Sequence, residues 1–448
     1  MTSLECCPSP KDDNKKPTKT VPHWIQPVVL AIFGGFNNGY NLIVVAEILL
    51  QLRSQKILIT PTQEGIFVAS INLGIILMMP LGAYLADKYG RLRTVVIGES
   101  VVVLASLSQI FCNNAVSLTL ARIAVGFGMS LCVLLKPLFI AEISDPKHRG
   151  KMMTLFSLCF SLGVFVVAVL GNAKNTVSWR TLLGMGAVPS LILVIAAQFY
   201  LTESPVWLNM VFRHKPVAFD DDEARGLTTD KVNKDRIEST QNKAKQGKCS
   251  SVFFELFDKS NGIGQMTFIG ILIGLMLVLD GLWLLITYRN DIFTDDQHYW
   301  AILLCTVLLV INIPIMLLVD KIGRKKLVVV GVIGSVLARL MGVILFAINV
   351  EGWISNMTLI VFAIFAQIIN AVGYAIVSEL YGARHRSVGM CFIFLIILTL
   401  GLFLSLIYKQ VELIIGNQGW FLIFLIMQVI IGVPLILKLP ETKGKEIE

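Results

Sequence analysis

Charge is the scarcest feature of this chain. Only 15% of its 448 residues are Asp, Glu, Lys or Arg, whereas about 25% is typical of soluble domains. Hydrophobic residues make up 55% of the chain, and its mean hydropathy is +0.74. This composition excludes an ordinary soluble domain and indicates a protein that lies mostly within a lipid bilayer.

Signs of catalysis or of secretion are also missing. We find no nucleophile–base set, no metal cluster and no phosphate-binding loop, so we predict neither an enzyme nor a cofactor. The eight cysteines lie in predicted spans or cytoplasmic segments, without metal spacing, and give no disulfide framework. The first 23 residues are polar and contain no apolar core, so no cleaved signal peptide is expected.

Long apolar runs fill most of the chain. A membrane-spanning helix needs about 20 mostly apolar residues, and twelve runs approach or exceed that length. The runs cover residues 24–48, 63–86, 94–112, 117–141, 152–172, 181–201, 263–287, 299–319, 327–349, 356–380, 388–408 and 419–438. The sequence therefore predicts an all-α membrane protein with twelve transmembrane helices.

One polar motif occurs twice between apolar runs. Residues 82–93 read Gly-Ala-Tyr-Leu-Ala-Asp-Lys-Tyr-Gly-Arg-Leu-Arg, and residues 320–326 read Asp-Lys-Ile-Gly-Arg-Lys-Lys. Such a turn cannot lie in lipid, because its charges and unpaired backbone groups would be too costly there. Its presence in both parts of the chain indicates a duplicated bundle of two six-helix halves.

The distribution of the net charge of +8 assigns an orientation. Lys and Arg gather in alternate loops, which is the positive-inside bias and argues against a nucleic-acid partner. We therefore expect both termini to be cytoplasmic. The plasma membrane is the expected location, although the charge bias itself does not distinguish one cellular membrane from another. The predicted organisation is a disordered tail at 1–22, a first half at 23–202, a cytoplasmic linker with short surface helices at 203–262, a second half at 263–438 and a tail at 439–448.

These motifs resemble those of the major facilitator superfamily, and others narrow the resemblance to its sugar porter branch. They are Arg122 with Gly126 and Gly128, Glu142 with Arg149-Gly150, Glu203-Ser-Pro205, Glu379 with Arg386, and Pro440-Glu-Thr-Lys-Gly444. The resemblance covers nearly the whole chain. It implies a transporter that moves a sugar or sugar-like solute by alternating access between the two sides of the membrane.

Polar side chains within the spans are candidates for binding that solute. Asn37 and Asn41 share one face of the first span, and Gln367, Asn370 and Tyr374 form one stripe on the tenth. Either set could line a cavity or could join helices by hydrogen bonds. The resemblance adds Ser157 and Trp283, which stand where sugar porters carry amides. It also implies uniport, because proton-coupled members have an aspartate in place of Asn41.

The second half of the expected pocket departs from the sugar porter pattern. The resemblance implies amides at four positions and a tryptophan at a fifth, where this chain has apolar aliphatic residues. They are Leu277, Val278, Leu308 and Ile397 in place of the amides, and Leu398 in place of the tryptophan. Sugar hydroxyls need amide or hydroxyl partners, so this wall is more apolar than a hexose requires. The gating loops are retained, which favours an altered solute over lost transport. A transporter of a non-sugar organic solute and a non-transporting sensor on the same scaffold remain open as alternatives.

Alternating access also requires bonds that form and break at the closed face. Carboxylate–guanidinium pairs suit this role, and four candidate pairs occur at the predicted inner ends of helices. Gly90 and Gly323 allow the sharp turns beside them, and the resemblance adds Glu203 to the gating residues. The expected pairs are Asp87 with Arg91, Glu142 with Arg149, Asp320 with Arg324, and Glu379 with Arg386. In the alternative interpretation, these arginines only fix the topology.

Three charged residues lie deep in predicted spans. Lys136 has no counterpart in the family pattern, and it could bind solute, extend to the interface or pair with a carboxylate. Asp280 and Arg339 could form a pair, but the sequence does not place them together. The sequence also leaves the oligomeric state open.

Overall fold

The computed structural model describes residues 24–58, 60–145, 148–172, 177–208, 255–257, 262–293, 296–348, 352–381 and 385–440. Within these ranges the chain is helical between short turns and contains no strand. The predicted tail at 1–22, most of the linker at 203–262 with its surface helices, and residues 441–448 lie outside the described residues.

The helices follow the predicted order of spans. The first half contains α1 (Ile25–Ser54), α2 (Pro61–Tyr89), α3 (Arg91–Gln109), α4 (Ala115–Ile143), α5 (Arg149–Asn172) and α6 (Trp179–Tyr200). The second half contains α7 (Ile263–Thr287), α8 (Gln297–Ile322), α9 (Arg324–Ala347), α10 (Trp353–Glu379), α11 (386–415) and α12 (417–438). By length and composition, eleven stretches of the described residues could cross a bilayer, and the last of them, Val388–Lys438, contains both α11 and α12. The predicted all-α membrane fold is confirmed.

The junction between α11 and α12 differs from the prediction. Residues 409–418 were expected to form a loop, but the helix continues through them and is interrupted only at Gly416, with φ of 67°. The whole stretch would be about 80 Å long if straight, more than twice the thickness of the hydrocarbon layer, so it must form two spans. The gap between the apolar runs at 388–408 and 419–438 predicted this loop, but Lys409 and Glu412 within it pair with each other at 2.8 Å on one helical turn.

Three helices contain local breaks. In α4 the break falls at Leu134, where Pro137 cannot donate the hydrogen bond to the preceding turn. In α6 it falls at Gly186, three residues before Pro189. In α7 it falls at Asp280 and Gly281, and Gly281 has φ of 72°. The breaks in α4 and α7 lie next to the space between the two halves.

The two halves meet along two pairs of helices. The α2 helix packs against α11, and α5 packs against α8. At the first contact Gly65 lies against the carbonyl of Leu406. Because these four helices form two walls, α1 and α4 from one half face α7 and α10 from the other across an enclosed space.

Two ends of the bundle are distinguished by their residues. We call the end that carries the turns at Gly90 and Gly323 the tight-turn face. We call the other end, which carries Arg53 and Asp291, the ion-pair face. The repeated sequence motif thus occupies equivalent positions at one end of both halves, as expected for a duplicated bundle.

Candidate functional site

A cavity of about 170 Å³ lies between the two halves. Helices α1, α2, α4 and α5 line it on one side, and α7, α10 and α11 line it on the other. Its polar side chains are Asn38, Asn72, Ser157, Gln367 and Asn370, together with the aromatic Trp283 and Tyr374. A concave, mostly apolar space with a few polar groups is typical of a small-molecule site.

Five of the seven residues predicted to bind solute line this cavity. They are Ser157, Trp283, Gln367, Asn370 and Tyr374. The stripe predicted on the tenth span therefore does face the space between the halves. The Tyr374 ring stacks on Phe394 of α11, with 5.8 Å between ring centroids.

The other two, Asn37 and Asn41, lie behind the cavity wall and join helices instead. Asn37 Nδ2 donates to Glu99 Oε2 of α3 at 2.6 Å. Asn41 Nδ2 donates to Asn37 Oδ1 at 2.6 Å and to the carbonyl of Gly186 at 3.2 Å. Arg122 Nη2 donates to the carbonyl of Asn41 at 3.0 Å. Of the two interpretations of this face of α1, the contacts favour hydrogen bonding between helices.

Lys136 belongs to the same buried network. Its Nζ lies 2.5 Å from Glu99 Oε1, and both side chains are fully buried. The ammonium also donates to Asn38 Oδ1 at 2.8 Å. Of the three interpretations of Lys136, the structure therefore supports pairing with a carboxylate, which is Glu99 of α3.

Two cavity residues were missed by the sequence analysis. Asn38 follows Asn37, which was predicted to bind solute. Because successive residues of a helix point in different directions, Asn38 faces the cavity and Asn37 does not. Asn72 of α2 lines the same cavity, and no hydrogen bond to it is found within the described part of the protein. A single amide within the apolar α2 run was the available signal for Asn72.

A second buried network surrounds the break in α7. Asp280 is fully buried, and its Oδ2 accepts from Asn370 Nδ2 at 2.7 Å. Its Oδ1 accepts from the backbone N–H of Leu282 at 3.0 Å and so satisfies a donor freed by the break. Arg339 donates to the carbonyl of Asp280, and its guanidinium lies 4.2 Å from the ring centroid of Phe362. The structure thus brings together Asp280 and Arg339.

The apolar substitutions of the second half do shape the cavity. Leu277 and Val278 of α7 line it, as do Ile397 and Leu398 of α11. Leu308 does not; its carbonyl accepts from Asn312 one turn further along α8. The wall formed by α7 and α11 is therefore largely hydrocarbon, and the polar partners on this side come from α10.

At the tight-turn face, ion pairs tie helices of the same half. Arg91 lies 3.0 Å from Asp87 and 3.4 Å from Glu142. In the second half Arg324 lies 3.2 Å from Glu379. The sequence had paired Glu142 with Arg149 and Glu379 with Arg386, and it had paired Asp320 with Arg324. The side chains of Arg149, Asp320 and Arg386 lie outside the described residues, so those three pairs stay predictions.

Glu203 caps the first turn of α3. Its carboxylate accepts from the backbone N–H of Arg91 at 2.8 Å and from that of Leu92 at 3.2 Å. A carboxylate at a helix N-terminus satisfies free donors and opposes the helix dipole. Gly90 makes room for it, because a Cβ at this position would lie 2.3 Å from Glu203 Oε2.

We expect Gly90→Ala to lower the thermal unfolding midpoint of the purified protein. Gly90 has φ of 102°, so alanine would add strain of about 1–3 kcal/mol and displace the Glu203 carboxylate. Gly416→Ala is the matched control, because Gly416 has φ of 67° with nothing within 4 Å of the added Cβ. An equal loss in both variants would show that only backbone strain matters at Gly90.

At the ion-pair face, charged residues join the two halves. Arg53 of α1 lies 2.6 Å from Glu64 of α2 and 2.8 Å from Asp291, which follows α7. Lys409 of α11 lies 2.8 Å from the same Asp291. Deeper in this face, the buried Arg289 pairs with Glu47 of α1. These contacts join the two halves at this end of the bundle.

The Asp291 carboxylate stays ionised at neutral pH. Burial raises its pKa, but hydrogen bonds and charge from Arg53 and Lys409 outweigh burial and leave the pKa below its ordinary value. A carboxylate whose pKa is lower in the folded than in the unfolded protein stabilises the fold at pH values above the unfolded pKa. This stabilisation is lost only as the pH falls through the folded pKa. Mild acidification should therefore leave the ion pairs of Asp291 with Arg53 and Lys409 intact.

Comparison with known proteins identifies the class. The model of the family of sugar and other transporters matches residues 28–448, so the chain belongs to this family and is a transporter, not an enzyme. The chain is 26% identical over 438 residues to the glucose transporter GlcP of Staphylococcus epidermidis, covering 94% of this chain and 95% of that one. It is 24% identical to an arabinose-proton symporter of Bacillus subtilis, covering 93% and 91%.

Solved structures agree on the fold. The proton:xylose symporter XylE of the major facilitator superfamily, bound to 6-bromo-6-deoxy-D-glucose, superposes with a TM-score of 0.75 at 20% identity, covering 95% of this chain and 98% of that one. An inward-open form of XylE from Escherichia coli gives a TM-score of 0.69 at 19% identity. The predicted major facilitator fold is thus confirmed, and the protein is a multi-pass integral membrane protein.

Proposed function

We propose that this protein carries a sugar or a sugar-like small solute across the membrane by alternating access. The observation that carries the proposal is the cavity between the halves, where amide side chains from α1, α2 and α10 surround a space that also contacts Trp283. Amides supply the hydrogen bonds that hydroxyls need, and an aromatic ring can stack on the apolar face of a sugar ring. The named activities of its relatives point the same way.

The size and lining of the cavity favour a small solute. Its volume of about 170 Å³ is below the roughly 300–1,000 Å³ of sites for drug-sized ligands. A monosaccharide or a cyclic polyol suits this space better than an oligosaccharide. We propose that Ser157, Trp283, Gln367, Asn370 and Tyr374 contact the solute, with Asn38 and Asn72 opposite them, while Asn37 and Asn41 support α1.

The two ends of the bundle would serve as gates. In this proposal the halves at 23–202 and 263–438 rock against each other, and the ion-pair face is closed in the state described here. The tight-turn face would carry the latch, with Asp87, Gly90, Arg91, Glu142, Arg149 and Glu203 in one half and Asp320, Gly323, Arg324, Glu379 and Arg386 in the other. From the bias of Lys and Arg, we place that face and both termini in the cytoplasm and the protein in the plasma membrane.

We propose that transport is facilitative uniport. The support is chemical: Asn41 is an amide that cannot titrate, and its hydrogen bonds to Asn37 and Gly186 hold it within the helix packing. Relatives of the chain include proton symporters as well as a glucose transporter, so the coupling must be measured.

The test is uptake into liposomes that hold the purified protein. Tracer solutes should include D-glucose, D-galactose, D-xylose, L-arabinose, myo-inositol and a non-sugar organic cation and anion. Uniport predicts equilibration of at least one neutral solute without accumulation, whether or not an inward proton gradient is present. Accumulation above the outside concentration that a protonophore abolishes, at clamped potential, would refute uniport. Failure to carry any neutral hydroxylated solute would refute the proposed substrate class.

A matched pair of cavity variants separates binding from packing. Asn72→Leu should weaken apparent affinity for the carried sugar by about 5- to 150-fold and leave the thermal midpoint near the wild-type value, because no hydrogen bond to Asn72 is found within the described protein. Asn370→Leu should weaken affinity and also lower the midpoint, because it removes the donor to the buried Asp280. Normal affinity in Asn72→Leu would remove α2 from the binding site.

A further inference from the structure

Building on the proposed transport of a sugar-like solute, we infer that buried charges in the two halves fix the polarity of the cavity walls. Lys136 makes Asn38 a hydrogen-bond donor toward the cavity, and Asp280 with its surroundings makes Asn370 an acceptor. The site would then bind a neutral hydroxylated solute in one orientation, in which the solute accepts a hydrogen bond from α1 and donates one to α10.

The orientation of Asn38 follows from the chemistry of its partner. Lys136 Nζ lies 2.8 Å from Asn38 Oδ1, and an ammonium has donors but no acceptor. The amide oxygen must therefore point at Lys136, which leaves Nδ2 for the cavity that Asn38 lines. Glu99 holds Lys136 in place from the other side at 2.5 Å. Neither Lys136 nor Glu99 lines the cavity, so both are positioning residues.

The orientation of Asn370 is fixed in the opposite sense. Its Nδ2 donates to the carbonyl of Ala366 at 3.1 Å and to Asp280 Oδ2 at 2.7 Å. A backbone carbonyl only accepts, so the amide nitrogen stays on that side whether or not Asp280 carries a proton. The amide oxygen of Asn370 is left for the cavity.

Gln367, one turn earlier on α10, repeats this arrangement. Asn312 Nδ2 donates to the carbonyl of Leu308 at 2.6 Å, which directs Asn312 Oδ1 toward α10. Gln367 Nε2 donates to that oxygen at 3.4 Å. The amide oxygen of Gln367 therefore faces the cavity, and α10 offers two acceptors in successive turns.

A donor wall opposite an acceptor wall restricts the solute. A hydroxyl group can accept from Asn38 and can donate to Asn370, so a sugar or cyclic polyol satisfies both walls. A carboxylate cannot donate to α10, and an ammonium cannot accept from α1. Leaving either wall group unpaired in a dry cavity would cost affinity. The fixed amides therefore exclude organic ions of both signs from productive binding.

Competition by D-glucose analogues tests the polarity. Each hydroxyl is replaced in turn by hydrogen, which neither donates nor accepts, or by fluorine, which only accepts. At the hydroxyl that meets Asn38, the fluoro analogue should compete with tracer D-glucose about 5- to 10-fold better than the deoxy analogue. At the hydroxyl that meets Asn370, both analogues should be equally poor.

The variant Asn38→Asp with Glu99→Gln reverses one wall and keeps the charge balance. The carboxylate moves from position 99 to position 38, where Lys136 holds it ionised and its second oxygen faces the cavity as an acceptor. The preference at the first hydroxyl should invert, so that fluorine becomes worse than hydrogen, while the pattern at the Asn370 hydroxyl stays unchanged. Ratios that stay as in the wild type would show that position 38 does not set the polarity of this wall, and that result would overturn the inference.

A ligand-free measurement keeps the inference separate from the proposed function. If no tracer sugar is carried, the function fails, and the contact itself is tested by thermal unfolding. Asn38→Leu should lower the midpoint in the wild type but not in the Lys136→Met, Glu99→Gln background, where the ammonium that needs Asn38 is gone. Equal drops in both backgrounds would show that Lys136 does not orient Asn38, and the inference would be refuted.

Discussion

Replacing Arg289 with methionine should drive the protein toward the state that is open at the ion-pair face. Arg289 and its partner Glu47 join the two halves, and their side chains are 0% and 4% exposed. Removing the guanidinium leaves a buried, unpaired carboxylate, which costs about 3–5 kcal/mol. The protein can relieve that cost by rocking the halves apart, since water then reaches Glu47. The equilibrium should shift by roughly a hundredfold or more toward the open state.

Labelling of a cavity cysteine measures this shift. Leu42→Cys places a thiol on the cavity wall of α1, in a background without the native cysteines. A membrane-impermeant maleimide added at the ion-pair face should react far faster in Arg289→Met than in the parent. Adding Glu47→Gln removes the unpaired charge and should return the rate toward the parental value.

Glu412→Gln is the matched control for this prediction. Glu412 lies at the same face but pairs with Lys409 of the same helix, at 2.8 Å. Its loss should not favour rocking of the halves, and labelling should stay slow. If Glu412→Gln and Arg289→Met accelerate labelling equally, general loosening of this face, and not the bond between the halves, controls access.

The spans could be predicted because the bilayer imposes a length on each of them. The twelve predicted runs correspond to α1 to α12, with the last two forming one stretch interrupted at Gly416, and most ends fall within a few residues of the prediction. The loop predicted at 409–418 was wrong because nothing nearby in the sequence shows how the charge of Lys409 is neutralised. In the folded protein Lys409 forms an ion pair with Asp291 at the ion-pair face, and Asp291 is distant in sequence.

The cavity could be predicted only in part, because the register of a polar face depends on distant partners. The residues of the stripe on α10 recur at helical spacing, and they do line the cavity. On α1, however, the adjacent residues Asn37 and Asn38 have different surroundings. Asn37 bonds to Glu99 of α3 behind the cavity wall, whereas Asn38 lines the cavity and bonds to Lys136 of α4. Nothing local to α1 reveals that pair.

The same reasoning explains why the bonds between the halves were not foreseen. Glu47 and Arg289 are separated by 242 positions, and each alone looks like a residue near the end of a span. The gate expected from sequence was the repeated motif at the tight-turn face, where the described pairs connect helices within one half. The pairs that cross between the halves in this state lie at the other end.

Buried charge within one half should behave differently from charge between the halves. Lys136 and Glu99 both belong to the first half, so rocking of the halves does not separate them. Lys136→Met leaves the charge of Glu99 fully buried among neutral partners such as Asn37, and we expect a loss of about 3–5 kcal/mol. This loss should appear as reduced yield and a midpoint lower by on the order of 10 °C, without faster labelling at Leu42→Cys.

The double variant decides whether the pair itself is responsible. Lys136→Met with Glu99→Gln removes both charges and should recover most of the midpoint, because a buried pair is worth little more than its neutral replacement. Lys438→Met is the control for losing a lysine, since Lys438 is exposed at the end of α12 and rests 4.6 Å from the Phe268 ring centroid. If Lys136→Met is as stable as the double variant, Glu99 must reach water within the first half. The polar network behind α1 would then be a hydrated path instead of a dry support.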